Sequence, residues 1–159
     1  MAVRYYQLKW KMVPRFIADI AGYSAVFAIY ILLIVWLADL SGFTGEVQNF
    51  QTPASPTPAE VFGIAVLTPL IENALLVMLI VGLQKHAIPD AIITGICGAL
   101  AGTLHAIITP FWGITTMMLF FLMARLFLKY QRYSNTTGFF ATLLMHVMLN
   151  TAGVLAGGD

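Results

Sequence analysis

Five apolar runs, separated by short polar or proline-containing stretches, make up most of this chain. They predict membrane-spanning helices at about 16–38, 60–83, 91–109, 113–128 and 138–155, because a helix needs about 20 apolar residues to cross a bilayer. The fourth run is short for a span. The later connections are short, which implies antiparallel neighbours. We therefore predict an all-α fold, a polytopic transmembrane helical bundle of about five spans, forming a single membrane domain over residues 1–159.

Composition and charge agree with a membrane domain. The 159 residues are 60% hydrophobic and only 9% charged, whereas soluble domains carry about 25% charged residues. The net charge of +1 gives no reason to expect a nucleic-acid partner, and membrane lipid is the predicted surrounding. The single Cys97 excludes an intramolecular disulfide.

The basic residues all fall on one side of a five-span topology. Ser41 to Ala59, with Pro53, Pro56 and Pro58, cannot continue a helix and is predicted to be an extracytoplasmic loop. The other side carries all eight Lys and Arg residues, at positions 4, 9, 11, 15, 85, 125, 129 and 132. The positive-inside rule then predicts a cytoplasmic N-terminus and a C-terminus outside. The expected location is a bacterial inner membrane, with the first run retained as a helix rather than cleaved as a signal peptide.

Small residues on the third run predict close helix packing. Gly98 and Gly102 form a small-xxx-small pattern, which lets two helix backbones approach each other in a membrane. His105 follows one turn later. The same close approach is therefore expected to bring His105 against a neighbouring helix.

Ionisable residues lie where lipid would make them costly. Glu72 is near the middle of the second run, His105 is in the third, and His146 and Asn150 are four residues apart on the fifth. An ionisable group at the bilayer centre costs on the order of 3 kcal/mol on insertion scales. We therefore expect these four side chains to converge in the bundle interior, where they can face one polar site.

Such a set can carry out hydrolysis. A carboxylate can take a proton from water, an imidazole can orient that water, and an amide can stabilise an oxyanion. Two alternatives remain open at this point. The residues can serve as helix-packing hydrogen bonds, or two His and one Glu can bind zinc. The chain has no HExxH motif, so we predict no metal and no cofactor.

The order of these motifs resembles that of the CPBP family, also called the ABI family, of CAAX-prenyl-protease and bacteriocin-processing intramembrane proteases. The family pattern is EExxxR, then FxxxH, then HxxxN or HxxxD. Here the corresponding segments are Pro69-Leu-Ile-Glu72-Asn73, Ala101-Gly-Thr-Leu-His105 and His146-Val-Met-Leu-Asn150. Thr137-Gly138 also resembles the Thr-Gly turn before the last helix of the family. The CPBP-like core covers about residues 61–153.

The resemblance implies roles for individual residues. Glu72 and His105 are expected to activate water, and His146 and Asn150 to support the oxyanion. Asn73 is expected to support Glu72, although it stands where the family has a second Glu. Val77 stands in place of the usual Arg, and Ala101 in place of the Phe.

The predicted function is a metal-independent intramembrane endopeptidase that hydrolyses a peptide bond near the membrane. The predicted partner is a peptide or a membrane protein. Two alternatives from other classes remain, namely a catalytically inactive membrane binding or immunity factor and a small transporter subunit.

Overall fold

The part of the chain that the structure describes forms five helices. The computed structural model describes residues 2–42 and 57–156, and their side chains from Val13 onward. The helices are α1 (Ala2–Leu40), α2 (Pro58–Gln84), α3 (Asp90–Ala106), α4 (Pro110–Gln131) and α5 (Asn135–Ala156). The described residues contain no strand. The predicted all-α bundle is confirmed.

Four segments are long and apolar enough to cross a membrane. They are Val13–Leu40 of α1 and the whole of α2, α4 and α5. The 17 residues of α3 reach about 26 Å at 1.5 Å per residue, slightly less than a hydrocarbon core of about 30 Å. The protein is therefore an integral membrane protein, and its described residues include four helices of spanning length and one shorter apolar helix.

The first helix is longer than its membrane span, and the fourth helix is longer than predicted. The apolar segment Val13–Leu40 agrees with the span predicted at about 16–38, but α1 itself begins at Ala2, and Pro14 lies inside it. Hydropathy marks where a helix enters lipid, and a polar segment can continue the same helix. The fourth helix is 22 residues long rather than short. Its predicted connection, from Pro110 to Trp112, is its first turn: the Thr109 side chain accepts a hydrogen bond from the Trp112 N–H, and Pro110 suits the first helical position.

The other boundaries shift by a few residues. α2 begins with a capping box between Thr57 and Glu60, and α3 ends at Ala106 rather than near 109. Thr137 and Gly138 belong to the first turn of α5 rather than to a turn before it, since the Thr137 N–H donates to the Ser134 hydroxyl at 2.9 Å. Most of the predicted extracytoplasmic loop, residues 43–56, lies outside the described residues, as do 157–159.

α4 is the centre of the bundle. In its most apolar 18-residue stretch 61% of the residues are buried by protein, against 6% for α1. The core surrounds its buried side chains, which include Leu119, Phe120, Met123, Leu126 and Phe127. α1 is thus a mostly lipid-facing helix laid on a packed four-helix unit.

The predicted small-residue packing joins α3 to α4. A Cβ added to Gly102 would lie 2.6 Å from Met117 Cβ and 2.8 Å from the Gly113 carbonyl oxygen. A Cβ on Gly98 would lie 2.7 Å from the Met117 carbonyl oxygen. Side chains at these positions would force the two helices apart, so the close approach depends on glycine.

Polar contacts between helices mark one end of the bundle. The Lys129 ammonium of α4 lies 2.6 Å from the Asp19 carboxylate of α1. Gln84 of α2 and Gln131 of α4 exchange two amide hydrogen bonds at 2.9 and 2.8 Å. The basic residues beside these contacts therefore share that end, namely Arg15, Lys85, Lys129 and Arg132.

Candidate functional site

Three helices bring Glu72, His105 and His146 together. Glu72 Oε1 lies 3.5 Å from His105 Nε2, and Glu72 Oε2 lies 3.5 Å from His146 Nε2. Each carboxylate oxygen thus faces a different imidazole. Because the three residues come from α2, α3 and α5, the site exists only when these helices are packed.

The orientation of His105 follows from its second nitrogen. Nδ1 lies 2.8 Å from the Ala101 carbonyl oxygen, which can only accept a hydrogen bond. Nδ1 therefore carries the proton, and in the neutral ring Nε2 presents a lone pair toward Glu72. The His105 ring also packs edge-on against Trp112, with centroids 5.6 Å apart. The Ala101 carbonyl and the Trp112 ring thus fix the His105 ring so that Nε2 faces Glu72.

The site has one closed side and one open side. The His146 side chain is 3% exposed, whereas Glu72 and His105 are 24% and 21% exposed. Phe120 of α4 packs edge-on against His146, with centroids 5.9 Å apart. A substrate can therefore reach Glu72 and His105, while His146 lies behind them against the core.

His146 and Asn73 carry buried polar atoms that lack partners. Within the described part of the chain, His146 Nδ1 and Asn73 Oδ1 are buried without a hydrogen bond. Orphaned polar atoms of this kind cost free energy and are uncommon in native proteins. Ser24 Oγ of α1 is a third such atom, and of the three residues only His146 forms an ion-pair contact with Glu72.

Asn150 and Asn73 both donate to backbone carbonyls across the α2–α5 contact. Asn150 Nδ2 donates to the Ile64 oxygen at 3.0 Å, and Asn73 Nδ2 donates to the Phe139 oxygen at 3.1 Å. The structure thus brings Glu72, His105 and His146 together, whereas the hydrogen bonds of Asn150 and Asn73 are with backbone carbonyls elsewhere on the α2–α5 contact. The chemical roles of these five residues stay predictions.

The ion-pair partners of Glu72 are imidazoles rather than Lys or Arg side chains. Among the side chains that the structure describes, its ion-pair contacts within 4.0 Å are with His105 and His146. The family pattern has an Arg at the position that corresponds to Val77 of this chain. The two oxygens of the Glu72 carboxylate therefore face imidazole nitrogens rather than a guanidinium or an ammonium group.

The site does not have the arrangement of a metal centre. Among the side chains of residues 13–42 and 57–156, no group of three or more His, Cys, Asp and Glu is placed to hold a metal ion. The two imidazoles approach opposite oxygens of one carboxylate, whereas metal ligands converge on a common point. The metal-independent prediction stays open to direct test.

Sequence reasoning did not identify several groups of the site. The aromatic neighbours Trp112 and Phe120 gave no signal, because aromatic residues in an apolar run are common. The sequence analysis also did not identify the Ile64 carbonyl as the acceptor for Asn150. Pro69 could have pointed to an acceptor in this part of α2, since a proline inside a helix leaves a carbonyl without its usual donor.

Neither a scan against protein-family models nor searches of curated proteins and solved structures find a match to this chain. The resemblance to the CPBP family therefore rests on the three short motifs.

Proposed function

We propose that this protein is a CPBP-like intramembrane endopeptidase in which Glu72 and His105 activate a water molecule. The observation that supports this most directly is the carboxylate of Glu72 with an imidazole 3.5 Å from each oxygen. One of these imidazoles, that of His105, is oriented with Nε2 toward the carboxylate. A general base requires this kind of positioning within reach of water.

The reaction follows from these positions. The water molecule is oriented by His105 Nε2 and gives a proton to Glu72. Its oxygen then bonds to the peptide carbonyl carbon. The resulting oxyanion collapses, the C–N bond breaks, and the leaving nitrogen takes the proton from Glu72. The products are a carboxylic acid and an amine. His146, on the closed side, holds the second oxygen of Glu72 in place.

A non-catalytic binding role is the second candidate. It is favoured by Asn73, whose amide is engaged with the Phe139 carbonyl at 3.1 Å at the position where the family has a second carboxylate. A site with one carboxylate and no Arg can bind a peptide or membrane protein without cutting it. In that case the same polar site recognises the partner.

The decisive experiment compares two glutamates on the same helix. Purified protein is incubated with a library of membrane-derived peptides, and cleavage is followed by mass spectrometry. Glu72→Gln should abolish cleavage, because an amide keeps the shape but cannot accept a proton from water. Glu60→Gln is the matched control, since Glu60 lies in the capping box at the start of α2, where Gln also serves. Equal cleavage by wild type and Glu72→Gln would refute the mechanism.

Chelation tests the metal-independent mechanism separately. We expect cleavage to persist in chelator and elemental analysis to find no stoichiometric zinc. About one zinc per chain, with loss of activity on its removal, would replace the glutamate mechanism by a metal-dependent one.

The proposed orientation has a cytoplasmic N-terminus. It is supported by the basic residues that flank the Asp19–Lys129 and Gln84–Gln131 contacts at one end of the bundle, since positive residues favour the cytoplasmic side. Reporter fusions after Val47 and after Asp159 should both report an outside location. A cytoplasmic signal from either fusion contradicts this orientation.

A further inference from the structure

A proline disturbs α2 shortly before Glu72. Pro69 has no N–H, so a regular α-helix would leave the Ala65 carbonyl without its donor. The segment Gly63–Leu67 is instead π-helical, and the Thr68 N–H donates to the Gly63 carbonyl five residues earlier. In the same i to i+5 pattern the donor for Ile64 would be Pro69, which has none. The π turn therefore moves the orphaned carbonyl to Ile64.

Asn150 satisfies this carbonyl from another helix. Its Nδ2 donates to the Ile64 oxygen at 3.0 Å, and in a membrane no bulk water competes for that role. The hydrogen bond therefore links α5 to the one place in α2 where proline has freed a backbone acceptor. It uses part of the donor capacity that an oxyanion would otherwise receive from Asn150.

A second hydrogen bond from a side-chain amide lies on the other side of the Glu72–His146 contact. Asn73 Nδ2 donates to the Phe139 oxygen at 3.1 Å, and Asn73 is completely buried. Along the antiparallel pair the order of contacts is Ile64 with Asn150, Glu72 with His146, and Asn73 with Phe139. The contact between the carboxylate and the imidazole is thus bracketed by two side-chain-to-backbone bonds.

We infer that Asn150 and Asn73 are positioning residues that set the register of α2 against α5 and thereby place Glu72 on His146. Sliding one helix by a single residue moves it by about 1.5 Å and rotates the side chain by about 100°, which would separate the carboxylate from the imidazole. A backbone carbonyl has a fixed position on its helix, because no side-chain rotation can move it. A hydrogen bond to such a carbonyl therefore sets the register between the two helices. A role of these residues in catalysis rests on the proposed function. Their role in the register of α2 against α5 does not.

The test measures the Glu72–His146 contact directly, without any substrate. The full-length chain is labelled with ¹⁵N-histidine in detergent micelles, and the imidazole signals of His86, His105 and His146 are assigned by substitution. The observable is the change in the His146 ¹⁵N shifts that Glu72→Gln causes. It is recorded in the wild-type background and in Asn150→Leu and Asn73→Leu backgrounds. His86, in the loop between α2 and α3, is the internal reference.

Gln84→Leu is the matched control background. It also removes an inter-helix amide contact of α2, the reciprocal Gln84–Gln131 pair, but at the far end of the bundle. We expect the effect of Glu72→Gln on His146 to fall by at least half in Asn150→Leu and in Asn73→Leu. We expect it to be unchanged in Gln84→Leu, and His86 to be unchanged throughout.

Two results would overturn the inference. The first is an undiminished Glu72 effect in both asparagine variants. The second is an equal loss in Gln84→Leu, which would show general loosening of the bundle. If a Leu variant does not fold, the corresponding Ser variant provides the same measurement with less steric change.

Activity separates this inference from the proposed function. If Asn150 acts only as an oxyanion donor, Asn150→Leu lowers kcat while the Glu72 effect on His146 stays intact, and the inference is wrong. If the wild type cleaves nothing but the NMR result is as expected, the proposed function fails and the positioning role stands.

Discussion

Asp19 and Glu72 are two acidic side chains inside helices of this membrane protein, and their surroundings differ. Their exposures are similar, 20% for Asp19 and 24% for Glu72. Asp19 Oδ2 is 2.6 Å from the Lys129 ammonium and accepts a 2.6 Å hydrogen bond from the Tyr130 hydroxyl. Glu72 has two imidazoles at 3.5 Å. Burial therefore does not separate the two acids, but pairing does.

Under the proposed function, this difference separates an acid that joins two helices from an acid that acts on a substrate. Charge-assisted hydrogen bonds at short distance stabilise the Asp19 carboxylate and fasten α1 to α4. The contacts of Glu72 are longer, 3.5 Å to each imidazole nitrogen, and neither of them is with a Lys or Arg side chain. A fully paired carboxylate contributes to folding, whereas a weakly paired one can contribute chemistry.

Removing the charge of Glu72 should abolish activity and spare stability, whereas removing the charge of Asp19 should spare activity. The loss of activity in Glu72→Gln is the largest effect that we expect. Glu72→Gln should lower peptide cleavage by at least about 10³-fold, within the range for losing a general base, and leave thermal stability near the wild-type value. Asp19→Asn should keep cleavage within a few-fold. The measurements are initial rates and thermal unfolding in the same detergent. An active Glu72→Gln, or an inactive but folded Asp19→Asn, would break the distinction.

The glycine packing of α3 on α4 should matter to the Glu72 end more than to the Asp19 end. Gly102→Ala places a Cβ 2.6 Å from Met117 Cβ and should destabilise the protein by about 3 kcal/mol, as overpacking does. It should also shift the NMR signals of His105. Gly95→Ala on the same helix meets nothing within 4 Å. It should be neutral or stabilising by about 0.5 kcal/mol, since alanine favours helix. Equal effects of the two variants on stability would show that the close approach of α3 to α4 at Gly102 is not needed.

Asp19→Asn should lower the free energy of unfolding by about 2 kcal/mol, the scale for a hydrogen bond to a charged group. Lys129→Met should cost a similar amount, and the double variant should cost less than the sum because the two residues share one interaction. Unfolding in graded denaturant measures this cycle. Strict additivity would mean that the 2.6 Å contact contributes nothing.

Tyr130→Phe should have the smallest effect, about 1 kcal/mol, as for one net hydrogen bond. It removes the hydroxyl that donates to Asp19 but keeps the ring, which packs edge-on against Phe16 with centroids 5.0 Å apart. Tyr133→Phe is the matched control, because Tyr133 is 46% exposed. A loss in Tyr133→Phe as large as in Tyr130→Phe would assign the effect to something other than the Asp19 bond.

Sequence reasoning found Glu72 but did not single out Asp19. Glu72 attracts notice because it lies in the middle of an apolar run, with His105 and His146 in later runs. Asp19 lies close to the basic N-terminal segment, where an acid needs no special explanation. Its partner Lys129 is 110 positions away, and no local pattern links the two. Pairing at that separation is a property of the folded bundle.

The sequence by itself determined the helical class, the approximate positions of the helices, the membrane setting and the glycines at which α3 and α4 meet. These are local properties, because hydropathy and side-chain size act on a helix wherever it packs. Only the tertiary structure decided which acid is paired, which nitrogen of His105 faces Glu72, and that Asn150 donates to the Ile64 carbonyl. Those contacts depend on helix register, and register is set by packing among several helices at once.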